Sequence, residues 1–192
     1  MSRKQSLAPL NNALFWAAFT LALYGFLRAS EYTSPSPTHY LRQLHLLTQK
    51  VTICKEGMEV HIKGSITGQF KNSTTLYIAR LGMPTCPVRA MEKFLGQSSH
   101  KNSLPLFTFR NGQFLTRIDV SSMTKSLLAH TVHDVSLYSS HSYRIGAATT
   151  AAAAGLPDSQ IQTLGRWHSS AYRSYIRTSP ESQHKAIKQM AH

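Results

Sequence analysis

Acidic residues are scarce in this chain. Eight Asp and Glu stand against 21 Lys and Arg among 192 residues, a formal charge of +13 with histidine neutral. So few carboxylates leave no cluster able to hold a pair of catalytic divalent metals. Cysteine is scarcer still: Cys54 and Cys86 are the whole complement. Two thiols make no disulfide framework and no CxxC metal knuckle, so both read as small thiols in a reducing compartment. Of ten histidines none falls in HExxH spacing, and no metal or cofactor is expected. Long apolar runs are missing too. The stretch Leu14–Leu27 contains Trp16, Thr20, Tyr24 and Gly25 and stops at Arg28. It is too short to span a bilayer and lacks a signal-peptide cleavage pattern, so it reads as a buried helix in a cytosolic or nuclear chain. No internal repeat, heptad seam or low-complexity tract is present.

What the chain has in excess is positive charge. Self-repulsion on this scale is costly unless a polyanion relieves it, which points to nucleic acid. The basic residues are spread along the sequence rather than massed beside an apolar anchor, which argues against a membrane surface. With 42% hydrophobic residues, the length fits one globular domain with a sizeable core.

Periodicity places the elements. Asn11–Glu31 is apolar enough for one helix packed on most sides, broken by the prolines of Tyr32–Tyr40. Val51–Ile53, Val60–Ile62 and Leu76–Ile78 are short alternating runs separated by turn residues and predict a small antiparallel sheet. Pro87 opens a helix through Leu95, Phe107–Phe114 forms a hairpin or turn, and Val120–His130 forms a helix. Ser139 or Ser140 is placed to cap a helix through Ala154 that Gly155 stops. Pro157-Asp158 opens another that ends at Gly165, and Ser169 or Ser170 caps a third carrying Tyr172 and Tyr175. The expected fold is α+β, mainly helical, with a three-stranded antiparallel sheet. Residues 1–10 read as a flexible start, 11–180 as the domain and 181–192 as a tail; Met1–Pro9 and His184–His192 are expected to be mobile.

Chemistry concentrates in the last third. His141 and Arg144 lie three apart on a predicted helix start, where backbone N–H groups also favour an anion. Such a pair fits a phosphate grip or a merely solvated face. Trp167 can be a core aromatic or can offer its indole N–H to an oxyanion. A tyrosine among arginines can bond a phosphate or, beside positive charge, serve as a nucleophile. Taken singly, each residue has an ordinary structural explanation.

Taken in order, they form a pattern: Leu27-Arg28-Ala29-Ser30-Glu31, then His141-x-x-Arg144, then Gly165-x-Trp167, then Tyr175-Ile176-Arg177. This ordered set resembles the tyrosine recombinase family, which includes phage integrases and Cre-like enzymes. The wording from His141 to Trp167 is most similar to recombinases of DIRS-like retrotransposons and Cryptons. The resemblance runs from about Leu14 to Arg177. It implies the catalytic-domain fold of that family, double-stranded DNA as partner, a homo-oligomer on DNA and a nuclear setting, or a cytoplasmic one for a bacterial or phage protein. No small-molecule substrate and no metal is implied. Arg28 and Arg144 match the two catalytic arginines, His141 the histidine, and Glu31 the supporting acid. Trp167 matches a position filled by histidine or tryptophan, with His168 as its neighbouring alternative. Tyr175 matches the nucleophile; it lies eight residues after Trp167 where the family leaves about nine, and Tyr172 lies only five after it.

Two features depart from the family. A lysine in the turn between the second and third strands normally protonates the leaving oxygen, within a segment like Ser-Lys-Thr-Asp-Pro-Phe. Here the turn reads Ser65-Ile66-Thr67-Gly68-Gln69-Phe70, and Ile66 has no proton to give. Losing a general acid costs roughly 10²–10⁴-fold in rate. Lys63 and Lys71, in or beside the turn, are the candidate substitutes. In addition, only about a dozen residues precede the first helix, too few for the core-binding domain with which the family clamps DNA. The expectation is a fragment, a truncated element copy or a domesticated remnant, either an impaired recombinase or a non-catalytic DNA-binding domain. Glu181–His192 is a candidate for an exchanged C-terminal helix.

Overall fold

A computed structural model describes residues 9–63, 73–97, 103–177, 184, 187 and 188. Helix α1 (Pro9–Tyr24) is apolar on nearly every side, and Leu14, Ala17, Ala18, Leu21 and Ala22 are fully buried. It packs against α3 (Pro87–Gly96) and α5 (Ser142–Ala153). The single helix expected over Asn11–Glu31 is in fact two: α1 stops at Tyr24, and a short α2 spans Ala29–Tyr32. The break is a paired closure in which Leu27 N–H donates to Ala22 O (2.9 Å) and Phe26 N–H to Leu23 O (3.2 Å). That Schellman arrangement needs a left-handed residue after the cap, and Phe26 takes it at φ 51°. Gly25 is needed one place earlier, because a Cβ there would lie 2.8 Å from the Leu21 carbonyl oxygen. Apolar periodicity continues through the turn, so it conceals the break.

Strands β1 (Val51–Ile53), β2 (Gly57–Ile62) and β3 (Thr74–Ala79) form the expected antiparallel sheet in that order. Val60 faces Val51 on one side and Leu76 on the other. Met58, Val60 and Ile62 alternate into the core, where they join α1, α3 and the aromatics Phe94 and Phe107. Side chains of this size contribute about 1.5–3 kcal/mol each when fully buried, so this cluster supplies most of the hydrophobic stabilisation. Ile66 and Lys71, in the turn between β2 and β3, lie outside the described residues.

Thr108 bridges Phe114 in the expected hairpin. Helix α4 (Arg117–Leu128) follows it, capped reciprocally: Asp119 N–H donates to Thr116 Oγ1 (3.2 Å) and Thr116 N–H to Asp119 Oδ2 (2.8 Å). Ser34 N–H donates to Leu115 O (2.8 Å), which draws the proline-rich segment after α2 against the start of α4. These two pieces become one wall of the cleft described below.

The C-terminal third follows the expected order with two adjustments. His141, not Ser139 or Ser140, takes the cap position of α5, with a backbone that is itself helical (φ −75°, ψ −22°) and no side-chain cap bond. Ser139 Oγ, two residues earlier, still accepts the His141 N–H (3.3 Å). Gly155 (φ 80°) stops α5, and α6 runs Asp158–Gly165. The third helix is a 3-10 helix, Ser170–Tyr175, with Ser169 Oγ accepting from Ala171 N–H (3.3 Å). Phe26, Ala147, Ala148, Ala151, Ile161 and Tyr172 form a second, smaller core there. Of the tail, only residues 184, 187 and 188 are described; they are helical and exposed.

Candidate active site

The end of α6 repeats the end of α1. Trp167 N–H donates to Gln162 O and Arg166 N–H to Thr163 O, each at 3.0 Å, and Arg166 takes the left-handed position at φ 55°. Phe26 and Arg166 are the two non-glycine residues with positive φ among the described residues. A left-handed conformation costs an L-residue about 1–2 kcal/mol. The two turns face each other. Arg166 donates through Nη1 to Gly25 O (3.1 Å) and through Nη2 to Phe26 O (3.3 Å). Arg144, projecting from the first turn of α5, joins the same turns: Nη1 donates to Phe26 O and Nη2 to Gly165 O.

Arg144 is 1% exposed, the largest side chain so fully buried. Its guanidinium lies 4.1 Å from the centre of the Trp167 ring. Burial pushes its pKa down to about 10; repulsion from Arg28 and Arg166 adds to the fall, and Glu31 opposes it. The group stays charged at neutral pH. Glu31 is the local counter-ion. Its Oε2 accepts the Arg28 backbone N–H (2.7 Å) and Arg166 Nη2 (2.9 Å), and its Oε1 accepts Arg28 Nη1 (3.2 Å). One carboxylate therefore serves two arginines.

A cleft of about 920 Å³ opens over this network. Arg28, His141, Arg144, Trp167 and Tyr175, the five residues matched to the catalytic set, all line it. The Tyr175 ring stands 5.1 Å from His141 and 5.6 Å from Trp167, centre to centre. Thr149 Oγ1 donates to Tyr175 O (3.0 Å) and accepts Arg177 N–H (3.1 Å), which fixes the backbone on both sides of the tyrosine. Burial, and secondarily Arg144, holds the His141 pKa below its ordinary value. Among the described residues, three arginines, including Arg117 on the far wall, line the cleft against one acid, Asp119. Arg166 and Glu31 behind it cancel, so the cleft has positive charge in excess and can hold an anion.

Other candidates fall elsewhere. Tyr172 is 3% exposed and packs against Trp167 in the second core, away from the cleft lining. His168 is exposed and does not line the cleft. Lys63 directs its Nζ to Arg42 O (3.5 Å) and does not line it either. Lys71 lies outside the described residues. Among the described residues no three His, Cys, Asp or Glu side chains group as metal ligands would.

Sequence reasoning passed over Arg166, Thr149 and His45. His45 lines the cleft with Nδ1 held at Leu41, whose N–H lies 2.8 Å away. Arg166 stands nine residues before Tyr175, at the spacing the resemblance reserves for histidine or tryptophan. Its left-handed backbone turns that side chain inward and leaves Trp167 to face the cleft. That count of nine was the available signal.

Solved structures share the path of this backbone. XerH site-specific recombinase, in a post-cleavage complex with palindromic difH substrate, matches 98% of this chain with a TM-score of 0.67 at 15% identity; the match spans 49% of that chain. The Tn1549 transposon integrase in complex with a circular intermediate DNA matches 98% of this chain and 67% of its own, with a TM-score of 0.56 at 15% identity. FLP recombinase in a Holliday junction complex matches 94% and 42%, with a TM-score of 0.57 at 14% identity. The fold is that of a tyrosine recombinase catalytic domain. No family model and no curated protein sequence matches the chain significantly. At such identities the likeness lies in the path of the backbone, and the chain spans about half the length of XerH. Within the recombinase fold, the cleft gathers residues from α2, the start of α4, α5, the α6 turn and the 3-10 helix.

Proposed function

We propose that this chain is the catalytic domain of a DNA strand-cleaving and rejoining enzyme, with Tyr175 as nucleophile. The observation that carries the reading is the convergence of Arg28, Arg144, His141, Trp167 and Tyr175 on one cleft with unbalanced positive charge. Arg28 and the unused Arg144 donors bind the non-bridging oxygens of a scissile phosphate. His141 and Trp167 add donors toward the charge that builds during in-line attack. The Tyr175 oxygen forms a bond to phosphorus as the bond to a deoxyribose oxygen breaks. The tyrosine proton is lost, and the departing oxygen gains one as a hydroxyl. A phosphotyrosyl link results, and the reverse attack by a hydroxyl rejoins the strand. The neighbouring structures, solved as DNA complexes, support double-stranded DNA as the partner. The wording of His141–Trp167 supports a mobile-element origin, and with it a nuclear setting and a homo-oligomer on DNA.

A second reading, a DNA-binding domain without cleavage, is favoured by Ile66 at the lysine position and by Lys63 being turned to Arg42. One experiment separates the two. Incubated with nicked recombination-site DNA, the protein should give a covalent adduct that Tyr175→Phe abolishes. Salt-sensitive binding with no adduct, followed by cleavage on Ile66→Lys, means that the other residues still form a competent site.

A further inference from the structure

We propose that Arg166 is the residue that positions Arg28 and Arg144, two of the three cleft arginines, by locking together the two left-handed turns on which they depend. This rests on the proposed cleavage reading for its activity consequences but not for its geometry. Arg166 makes two sets of bonds at once. Toward the first turn it holds Gly25 O and Phe26 O, and Phe26 O is also the acceptor for Arg144. Toward α2 it holds Glu31 Oε2, and Glu31 is also the acceptor for the Arg28 backbone and guanidinium. Its own carrier, the α6 turn, supplies Gly165 O, the second acceptor of Arg144. Arg144 and Arg28 are thus linked through this one guanidinium and the groups it grips.

The side chain is 8% exposed and does not line the cleft, so it touches no phosphate bound there. Its burial beside two other arginines is unfavourable electrostatically, and both burial and Arg28 weaken its hold on its proton. Its left-handed backbone adds strain. Strain of this kind persists where surrounding contacts over-determine it, and it clusters at functional sites. A neutral side chain would relieve the repulsion yet would leave the turns unjoined. Lysine would keep the charge but could not span Gly25 O, Phe26 O and Glu31 with one planar fork.

The test compares Arg166→Gln and Arg166→Lys with the parent protein on nicked recombination-site DNA. On ordinary phosphate, Arg166→Gln should lower the rate of adduct formation by about 10–100-fold, the loss usual for an orienting partner. DNA binding should keep its salt dependence, since no phosphate contact is removed. On DNA carrying a methylphosphonate at the scissile position, the negative charge that the cleft arginines offset is gone, and the deficit should shrink. A variant that is only damaged in folding loses the same factor on both substrates. Equal loss on both, or cleavage at the parent rate, overturns the proposal.

Arginine Nε–H resonances give a readout that needs no cleavage. In Arg166→Gln, the signals of Arg28 and Arg144 should move while signals from the sheet do not. If the parent forms no adduct, the cleavage reading fails and these resonances alone decide the positioning claim. If Arg166→Gln does not fold, Glu31→Gln in the parent breaks the same junction and should shift Arg28 and Arg144 alike. Unmoved signals in both variants overturn the proposal.

Discussion

Helix α5 and helices α1 and α6 end in one backbone motif and fill it differently. At α5, Leu156 N–H reaches Ala151 O, Gly155 N–H reaches Ala152 O, and glycine takes the left-handed place on an exposed corner. At α1 and α6 the same bonds close around Phe26, which is buried, and Arg166, which is half-buried. Glycine makes the conformation nearly free, whereas the other two sites carry about 1–2 kcal/mol of strain each. The unstrained end only terminates a helix. The strained ends present carbonyls to Arg144 and carry Trp167 and Arg28 on the residues just beyond. The comparison teaches that backbone cost in this domain is concentrated where the cleft is built.

The hardest blow to that contrast is Arg144→Ala. It leaves the Gly165 carbonyl without its guanidinium, at about 1–3 kcal/mol for a buried acceptor, while Phe26 O keeps Arg166 Nη2, and cleavage should be lost as well. Gly155→Ala at the plain end should cost about 1–2 kcal/mol and leave adduct formation untouched. Thermal melts paired with adduct assays measure both. A Gly155→Ala variant that cleaves poorly would erase the distinction between the ends.

Gly165→Ala acts on the ring rather than on the carbonyls, because a Cβ there would overlap Trp167. Overpacking of this kind costs about 1–3 kcal/mol. The ring must leave its place over Arg144, so cleavage should fall more steeply than the melting temperature. Melting and rate falling in proportion would show that Trp167 merely fills space.

The gentlest test is pH. His141 has its pKa depressed in the folded protein, so the unfolded chain takes up a proton more readily. The free protein should therefore lose stability as pH falls through the ordinary histidine value of 6.5. A bound phosphate favours the imidazolium and works in the opposite sense. At fixed salt, DNA affinity should rise between pH 7.5 and 6, and His141→Gln should flatten that rise. Affinity independent of pH in the parent would place His141 away from the phosphate.

Much of this was readable along the chain. Alternation in Val51–Ile53, Val60–Ile62 and Leu76–Ile78 gave the sheet, because a half-buried strand must repeat every second residue. Pro87, Gly155 and Pro157 marked helix limits through their own backbone chemistry. The break at Gly25-Phe26 was not readable. Glycine there predicts the left-handed place for itself, yet close approach to Leu21 O needs the glycine and pushes the turn onto Phe26. Nor could spacing choose between Trp167 and His168, or reveal the task of Arg166.

The sequence by itself determined the class of fold and the excess of positive charge, which follow from composition and from periods of two and 3.6 residues, and these are local. The candidate residues for gripping a phosphate came from an ordered resemblance to the recombinase family. Only the tertiary structure decided which arginine faces the cleft and which stands behind it. That choice depends on bonds joining residues 118 to 141 positions apart, from Arg144 to Phe26 and from Arg166 to Gly25. No local pattern encodes a contact at such a distance; it exists only once both turns are in place.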